Sequence, residues 1–116
     1  MKKMVVKDVI TLLTLMLAGR LFGSVGMNSY QVPENVGIYP DGKLEVIFPE
    51  VFNAACTSGE GRRMFVKVGN SQGVTEESFK YIKSIVLTAI TSKTPIKFWY
   101  DRQGTVCEGG KVNIRP

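Results

Sequence analysis

Two residues could carry redox or crosslinking chemistry: Cys56 and Cys107, 51 positions apart, the second inside the stretch GTVCEGG from Gly104 to Gly110. The chain has no histidine. That removes Ser-His-Asp and Cys-His catalysis and takes the usual nitrogen ligand from zinc. Two cysteines alone cannot fill a tetrahedral zinc site, so no metal ligand set and no cofactor is expected. C-x-x-C is absent, which argues against a thioredoxin-like redox pair. The remaining readings are a disulfide or two separate buried thiols, and the compartment decides between them.

The N-terminus bears on the compartment. MKKMVVKD is a basic start, and Val9 to Gly19 is an apolar run of eleven residues with two threonines and no charge. The run is short for a bilayer span and suits the core of a signal peptide. Ser24 and Gly26 put small residues three and one positions before Met27. The expected division is therefore a signal peptide at 1–26 and a single domain at 27–116. Asp8 and Arg20 are unusual in such a segment, and an uncleaved membrane anchor or an amphipathic helix are the alternatives. Export to the periplasm or beyond favours pairing of Cys56 with Cys107. Closing a loop of this length contributes about 4 kcal/mol in the chain-entropy model, useful to a domain this small.

The segment also carries most of the basic charge. It holds Lys2, Lys3, Lys7 and Arg20 against Asp8, a net of +3, which leaves +2 of the chain's +5 for the rest. A nucleic-acid partner is correspondingly disfavoured.

The elements that position the remaining side chains follow from periodicity. Met27 to Gly37, broken by Pro33, reads as an extended arm or edge strand. Pro40-Asp41-Gly42 is a turn signal. Beyond it Leu44, Val46 and Phe48 alternate with Lys43, Glu45 and Ile47, so the stretch reads as a hairpin. Arg63 to Val68 is a strand with Met64, Val66 and Val68 on one side and Phe65 and Lys67 on the other. A helix is expected from Glu76 to Thr91. Thr75 is its N-cap, Glu76 and Glu77 suit the dipole at its start, and Val74 and Phe79 form a staple. Phe79, Ile82, Val86 and Ala89, widened by Ile85 and Ile90, form its apolar stripe, with Lys80, Lys83 and Ser84 facing away. Ile96, Phe98 and Tyr100 form one face of a further strand, Lys97 and Trp99 the other. After a loop at Cys107, KVNIRP makes a short last strand.

This order of three strands, a helix and two strands predicts a mainly β, α+β domain with an OB-fold-like five-stranded Greek-key barrel. The stretches YPDGKLEV, AAC, RMFVKV and SFKYIKSIVLTAITSKTPIKFWY, with a cysteine before a short final strand, resemble small exported proteins. They are similar to the B subunit of subtilase cytotoxin and to pertussis-like toxin B subunits. The resemblance covers roughly residues 38–114. It includes the Leu-x-Ala helix end at Leu87 and Ala89 and the strand start at Pro95 to Phe98. It implies a cysteine pair before the third and after the fourth strand, a ring-shaped homo-oligomer, an enzymatic toxin subunit as partner, and binding to cell-surface glycans. The Cys-x-Trp of heat-labile enterotoxin B subunits is missing, since Cys107 is followed by Glu108-Gly109-Gly110. No segment matches the family's serine-containing sugar site.

Trp99 with Lys97 is the candidate ligand-binding pair: an outward indole beside an ammonium can stack on a sugar or a base. Alternatively Trp99 packs beneath the N-terminal arm or in a subunit interface. Arg62-Arg63 with Lys67 reads as a solvated basic loop. No nucleophile-base pair or phosphate loop is visible, so a non-enzymatic binding protein is the expected function. An OB-fold nucleic-acid module and a small envelope protein that binds another protein are the alternatives.

Overall fold

Alternation decides which residues face inward, and the computed structural model, which describes residues 24–116, places them accordingly. Six strands and one helix follow in the order β1 (Val25–Gly26), β2 (Asn35–Ile38), β3 (Leu44–Ile47), β4 (Arg63–Val66), α1 (Glu76–Ser92), β5 (Ile96–Gln103) and β6 (Val106–Ile114). They form one mixed sheet in the order β1-β5-β6-β4-β3-β2. All pairings are antiparallel except β4 with β6, which meet in parallel at Phe65 and Glu108.

The inward set is the one the period of two selects: Leu44, Val46, Phe48, Met64, Val66, Ile96, Phe98 and Tyr100 are buried. Phe48 meets Phe52 and Phe98 edge-on, and Phe52 meets Tyr100 in the same way. The helix covers one end of this core with Ile82, Val86 and Ala89. Its start is a capping box: Thr75 Oγ1 accepts the Ser78 amide, and Ser78 Oγ accepts the Thr75 amide. Val74 is buried ahead of the cap, with Phe79 packed against the core behind it. The helix stops where Lys93 turns left-handed, at φ 57°.

Three expectations change. There are six strands rather than five, and no ladder joins β1 to β2, so the sheet is open rather than a closed barrel. The added strand is β1, which caps the edge of β5 through Val25–Tyr100 and Gly26–Trp99. The chain then runs along β5, with Gln31 bridging Ile96, and past Pro33 it crosses to pair with β3 as β2. Proline has no amide to give a ladder, and the arm is split where it stands.

The second change concerns Cys107. It lies within β6, which starts at Val106 and runs nine residues, not in a loop before a short strand. The turn is only Gly104-Thr105, with Gly104 at φ 64°. Gly104 serves the turn as expected, but Gly109 and Gly110 are strand residues: the register slips between Trp99 and Tyr100, leaving Gly110 as the extra residue of a bulge. Gly109 faces the core, where a Cβ would lie 2.8 Å from Phe98 and 3.0 Å from Met64. It is there for close approach, not for flexibility.

Third, Val68, expected on the inner side with Met64 and Val66, is exposed, because β4 ends at Val66.

Of the expected 1–26 segment, residues 1–23 lie outside the described residues, while Val25 and Gly26 belong to the folded sheet. Among the described residues, no helix is long and apolar enough to cross a membrane.

Candidate functional site

The outer face of the sheet carries two groups of polar and aromatic side chains, one on either side of β6. The two central rings follow from the strand phases: Phe65 and Trp99 each lie out of step with buried neighbours.

The first group surrounds Phe65. Its strand neighbours Met64 and Val66 are buried, so Phe65 turns outward on β4. The β2–β3 turn stands over it. That turn is held by Tyr39 and Gly42 backbone bonds of 2.8 Å and by Asp41 Oδ1, which accepts the Lys43 amide at 3.0 Å. Tyr39 meets Phe65 edge-on at 6.3 Å, and the Lys43 ammonium lies 4.6 Å from the Tyr39 ring and 4.9 Å from the Phe65 ring. On the far side stand the tip of the β5–β6 hairpin and the loop after β4. Asn70 Nδ2 donates to Gly109 O, and the Ser71 amide donates to Glu108 Oε1, so this loop is tied across β6. Between them lies a groove of about 510 Å3 lined by Phe65, Asp41, Lys43, Lys67, Gln103 and Glu108, among others.

Two ion pairs flank this groove, while Lys43 lies over the rings. Arg63 Nη1 meets Glu45 Oε2 at 2.8 Å, and Lys67 Nζ meets Asp41 Oδ2 at 3.5 Å. The Lys43 amide holds the Asp41 carboxyl below its ordinary value; burial opposes this slightly, and Lys67 adds to it. Glu45 accepts from the Tyr39 hydroxyl and holds the phenol proton on, raising that group, while it also raises Arg63.

The second group surrounds Trp99, on the other half of the face. Lys97 and Trp99 are brought together as expected, with the ammonium 5.1 Å from the indole. The structure adds three partners. Lys111, opposite Trp99 across the β5–β6 ladder, places its ammonium 4.7 Å from the indole. Lys97 also lies 5.7 Å from the Tyr30 ring, and Arg115 lies 4.0 Å from the same ring. Gly26 passes beneath Trp99, where an added Cβ would lie 3.0 Å from the indole. Trp99 therefore packs against the N-terminal arm and between two lysines, so the surface it offers is cationic rather than a bare ring.

Tyr30, Lys111 and Arg115 escape sequence reasoning because only the register of β6 and the path of the arm bring them here. Phe65 and Lys67 gave a signal, their outward phase, but nothing local says that the 39–43 turn and the hairpin tip wall them in.

Cys56 and Cys107 are bonded, with α-carbons 5.6 Å apart, fastening the β3–β4 loop to β6. Beside them Ser58 and Thr105 bond through both backbone, at 3.0 Å, and hydroxyls, at 2.6 Å. In the same loop Gly61 sits at φ 73°, with no room for a Cβ against Asn53 O. Arg62 and Arg63 do not form a free basic loop. Arg62 reaches Phe48 O at 2.8 Å and Glu34 at 3.3 Å, and Arg63 holds Glu45. Glu76 and Glu77 lie in the first turn of α1, as the dipole favours. No group of three or more metal-binding side chains occurs among the described residues. Compared with known proteins, the chain matches no family model, no curated protein and no solved structure.

Proposed function

We propose that this chain is an exported, non-enzymatic binding protein on an OB-like frame, whose Phe65 groove takes a polyhydroxylated, glycan-type ligand. The meander β2-β3-β4, the parallel step to β6, the return through β5 and the helix between β4 and β5 support that frame. In this reading β1 and β2 are two pieces of one interrupted first strand, which is why they lie at opposite edges yet adjoin in the chain. The disulfide is compatible with an oxidising compartment.

The observation that carries the ligand class is the lining of the groove. An outward aromatic ring is surrounded by carboxylates, ammoniums and amides, namely Asp41, Glu108, Lys43, Lys67, Asn70 and Gln103. Hydroxyl-rich ligands need that mixture: donors and acceptors for each hydroxyl and an apolar ring for the C–H face. Asp41 and Glu108 in the lining disfavour a phosphate backbone, and with it the nucleic-acid reading. Following the resemblance to toxin B subunits, the protein acts as a homo-oligomer beside an enzymatic partner.

A glycan array probed with the disulfide-bonded protein tests the proposal. Expected is binding by the wild type and its loss in Phe65→Ala, with folding checked by near-ultraviolet circular dichroism. No glycan bound by the folded wild type sinks the ligand class. A strictly monomeric mass in solution removes the ring.

A further inference from the structure

We propose that the Trp99 patch is a membrane-surface seat: Tyr30, Lys97, Trp99, Lys111 and Arg115 dock the domain on the anionic phospholipid headgroups of the bilayer that its N-terminal run meets. This goes beyond the groove and does not depend on it; it takes the N-terminal run as retained, the anchor alternative to a cleaved signal peptide, in keeping with Val25 and Gly26 being paired in the sheet where a cut before Met27 would remove them.

Three observations carry it. The first is composition. Cations and rings alternate from Arg115 through Tyr30, Lys97 and Trp99 to Lys111, with spacings of 4.0 to 5.7 Å. Aromatic residues with a polar edge and lysines with apolar stems are the side chains that suit the headgroup region.

The second is charge. Among the described residues no carboxylate forms an ion pair with Lys97, Lys111 or Arg115, while every salt bridge lies elsewhere. A ring neutralises none of their charge, so the ammonium and guanidinium protons remain available to phosphate oxygens, the guanidinium in bidentate fashion. The nearest acids along the strands are Asp101 and Glu108, paired across the ladder on the far side of the bulge. They bound the patch and do not enter it.

The third is position. The chain enters the domain at β1, and Gly26 lies under the Trp99 indole. The apolar run ends at Gly19, five residues before Ser24. Even fully extended, five residues span only about 18 Å. Whenever the run lies in a bilayer, the face nearest its root is held within reach of the headgroups, and that face carries the unpaired cations. Charge and tether together select an anionic lipid surface over a soluble polyanion.

Trp99 is the chain's single tryptophan, so its fluorescence reports this patch alone. The full chain is reconstituted into phosphatidylcholine vesicles with and without phosphatidylglycerol. Expected with the anionic lipid are a blue shift, protection from the neutral quencher acrylamide, and quenching by a headgroup spin label. The variant K97Q/K111Q/R115Q stays in the vesicles through its N-terminal run but loses the protection. Each lost cation lowers headgroup affinity about fivefold, so more anionic lipid is needed for half-maximal shielding. K80Q/K83Q/K93Q, with the same charge removed from the helix, matches the wild type. If the triple patch variant does not fold, Lys111→Gln alone, at an exposed position, gives the smaller shift. The proposal is overturned if Trp99 stays open to acrylamide in anionic vesicles, or if protection is equal in pure phosphatidylcholine. Protection that persists in the folded patch variants, or that comes from a sulfated polysaccharide and not from lipid, overturns it equally.

Discussion

The Phe65 and Trp99 regions share one sheet face and the same ingredients, an outward ring between lysines, yet they settle their charges in opposite ways. Around Phe65 two of the three nearby cations meet carboxylates, Arg63 with Glu45 and Lys67 with Asp41, and only Lys43 lies over rings. Around Trp99 cations meet rings. The strand phase is the same in both, so the difference comes from what lies across the ladder. Glu45 stands opposite Phe65 and next to Arg63, whereas Trp99 stands opposite Lys111 and Gly26. In the readings proposed above, the walled groove would select ligands by hydrogen-bond geometry and the cationic shelf by charge. One small domain thus offers two surfaces that need not compete.

The strongest way to break the comparison is to loosen the strand between the regions. Cys107 anchors β6 to the β3–β4 loop across 51 residues. Cys56→Ser/Cys107→Ser is expected to lose roughly 2–5 kcal/mol of stability. Urea unfolding monitored at Trp99 measures it. The hairpin tip that walls the groove is tied to the same loop through Ser58 and Thr105, so groove amides should broaden in NMR before those around Trp99. Equal stability of reduced and oxidised protein would remove the bond from any role in holding the two faces together.

A subtler test sharpens the contrast by salt. A double-mutant cycle of Trp99→Leu with Lys111→Gln is expected to give a coupling of about 0.5–1 kcal/mol, the range of an exposed cation–ring contact. The matching cycle at Asp41 and Lys67, whose side chains are both 52% exposed, should lose its coupling as salt is raised, because two full charges are screened. A charge beside a ring quadrupole acts at short range and should lose less. If both couplings fall equally, the two regions are electrostatically alike and the distinction fails.

How far the sequence predicted these regions depends on what each residue needed. Inward and outward phase needs only alternation, so Leu44, Val46, Met64, Phe98 and the outward Phe65, Lys97 and Trp99 were legible strand by strand. Helix α1 was legible from Thr75 and its stripe, and its stop slid by one residue to Ser92. Registers were not legible. Lys111 meets Trp99 only because Gly110 is bulged out, and a glycine-rich stretch reads as a loop when its reason is a crowded Phe98 beneath Gly109. The second strand of the arm was hidden because Val25–Gly26 has too few residues to show a period. The walls of the groove come from three turns brought together by the parallel β4–β6 step, a contact that no local pattern encodes.

The smallest expected effect is acid-linked and confined to one region. Asp41 is exposed, yet the Lys43 amide donates to it and lowers it below its ordinary value of 3.8, with Lys67 assisting. A carboxylate lowered in the folded state stabilises that state above its unfolded value, and the contribution disappears as pH falls through the lower folded value. The Pro40-Asp41-Gly42 turn should therefore be intact at pH 5 and loosen only below its ordinary titration range. Carboxyl carbon shifts of Asp41 and amide shifts of Lys43 give the direct reading and should move together. Asp41→Asn keeps an acceptor for the Lys43 amide but removes the charge facing Lys67, so the Lys43 response to acid should vanish while the turn remains. The contacts of Lys97, Lys111 and Arg115 with rings involve no carboxylate, so they should persist where the Asp41–Lys67 pair has gone. A Lys43 shift that follows the same acid transition in Asp41→Asn would assign the effect to another carboxylate, with Glu45, next but one on β3, the first to examine.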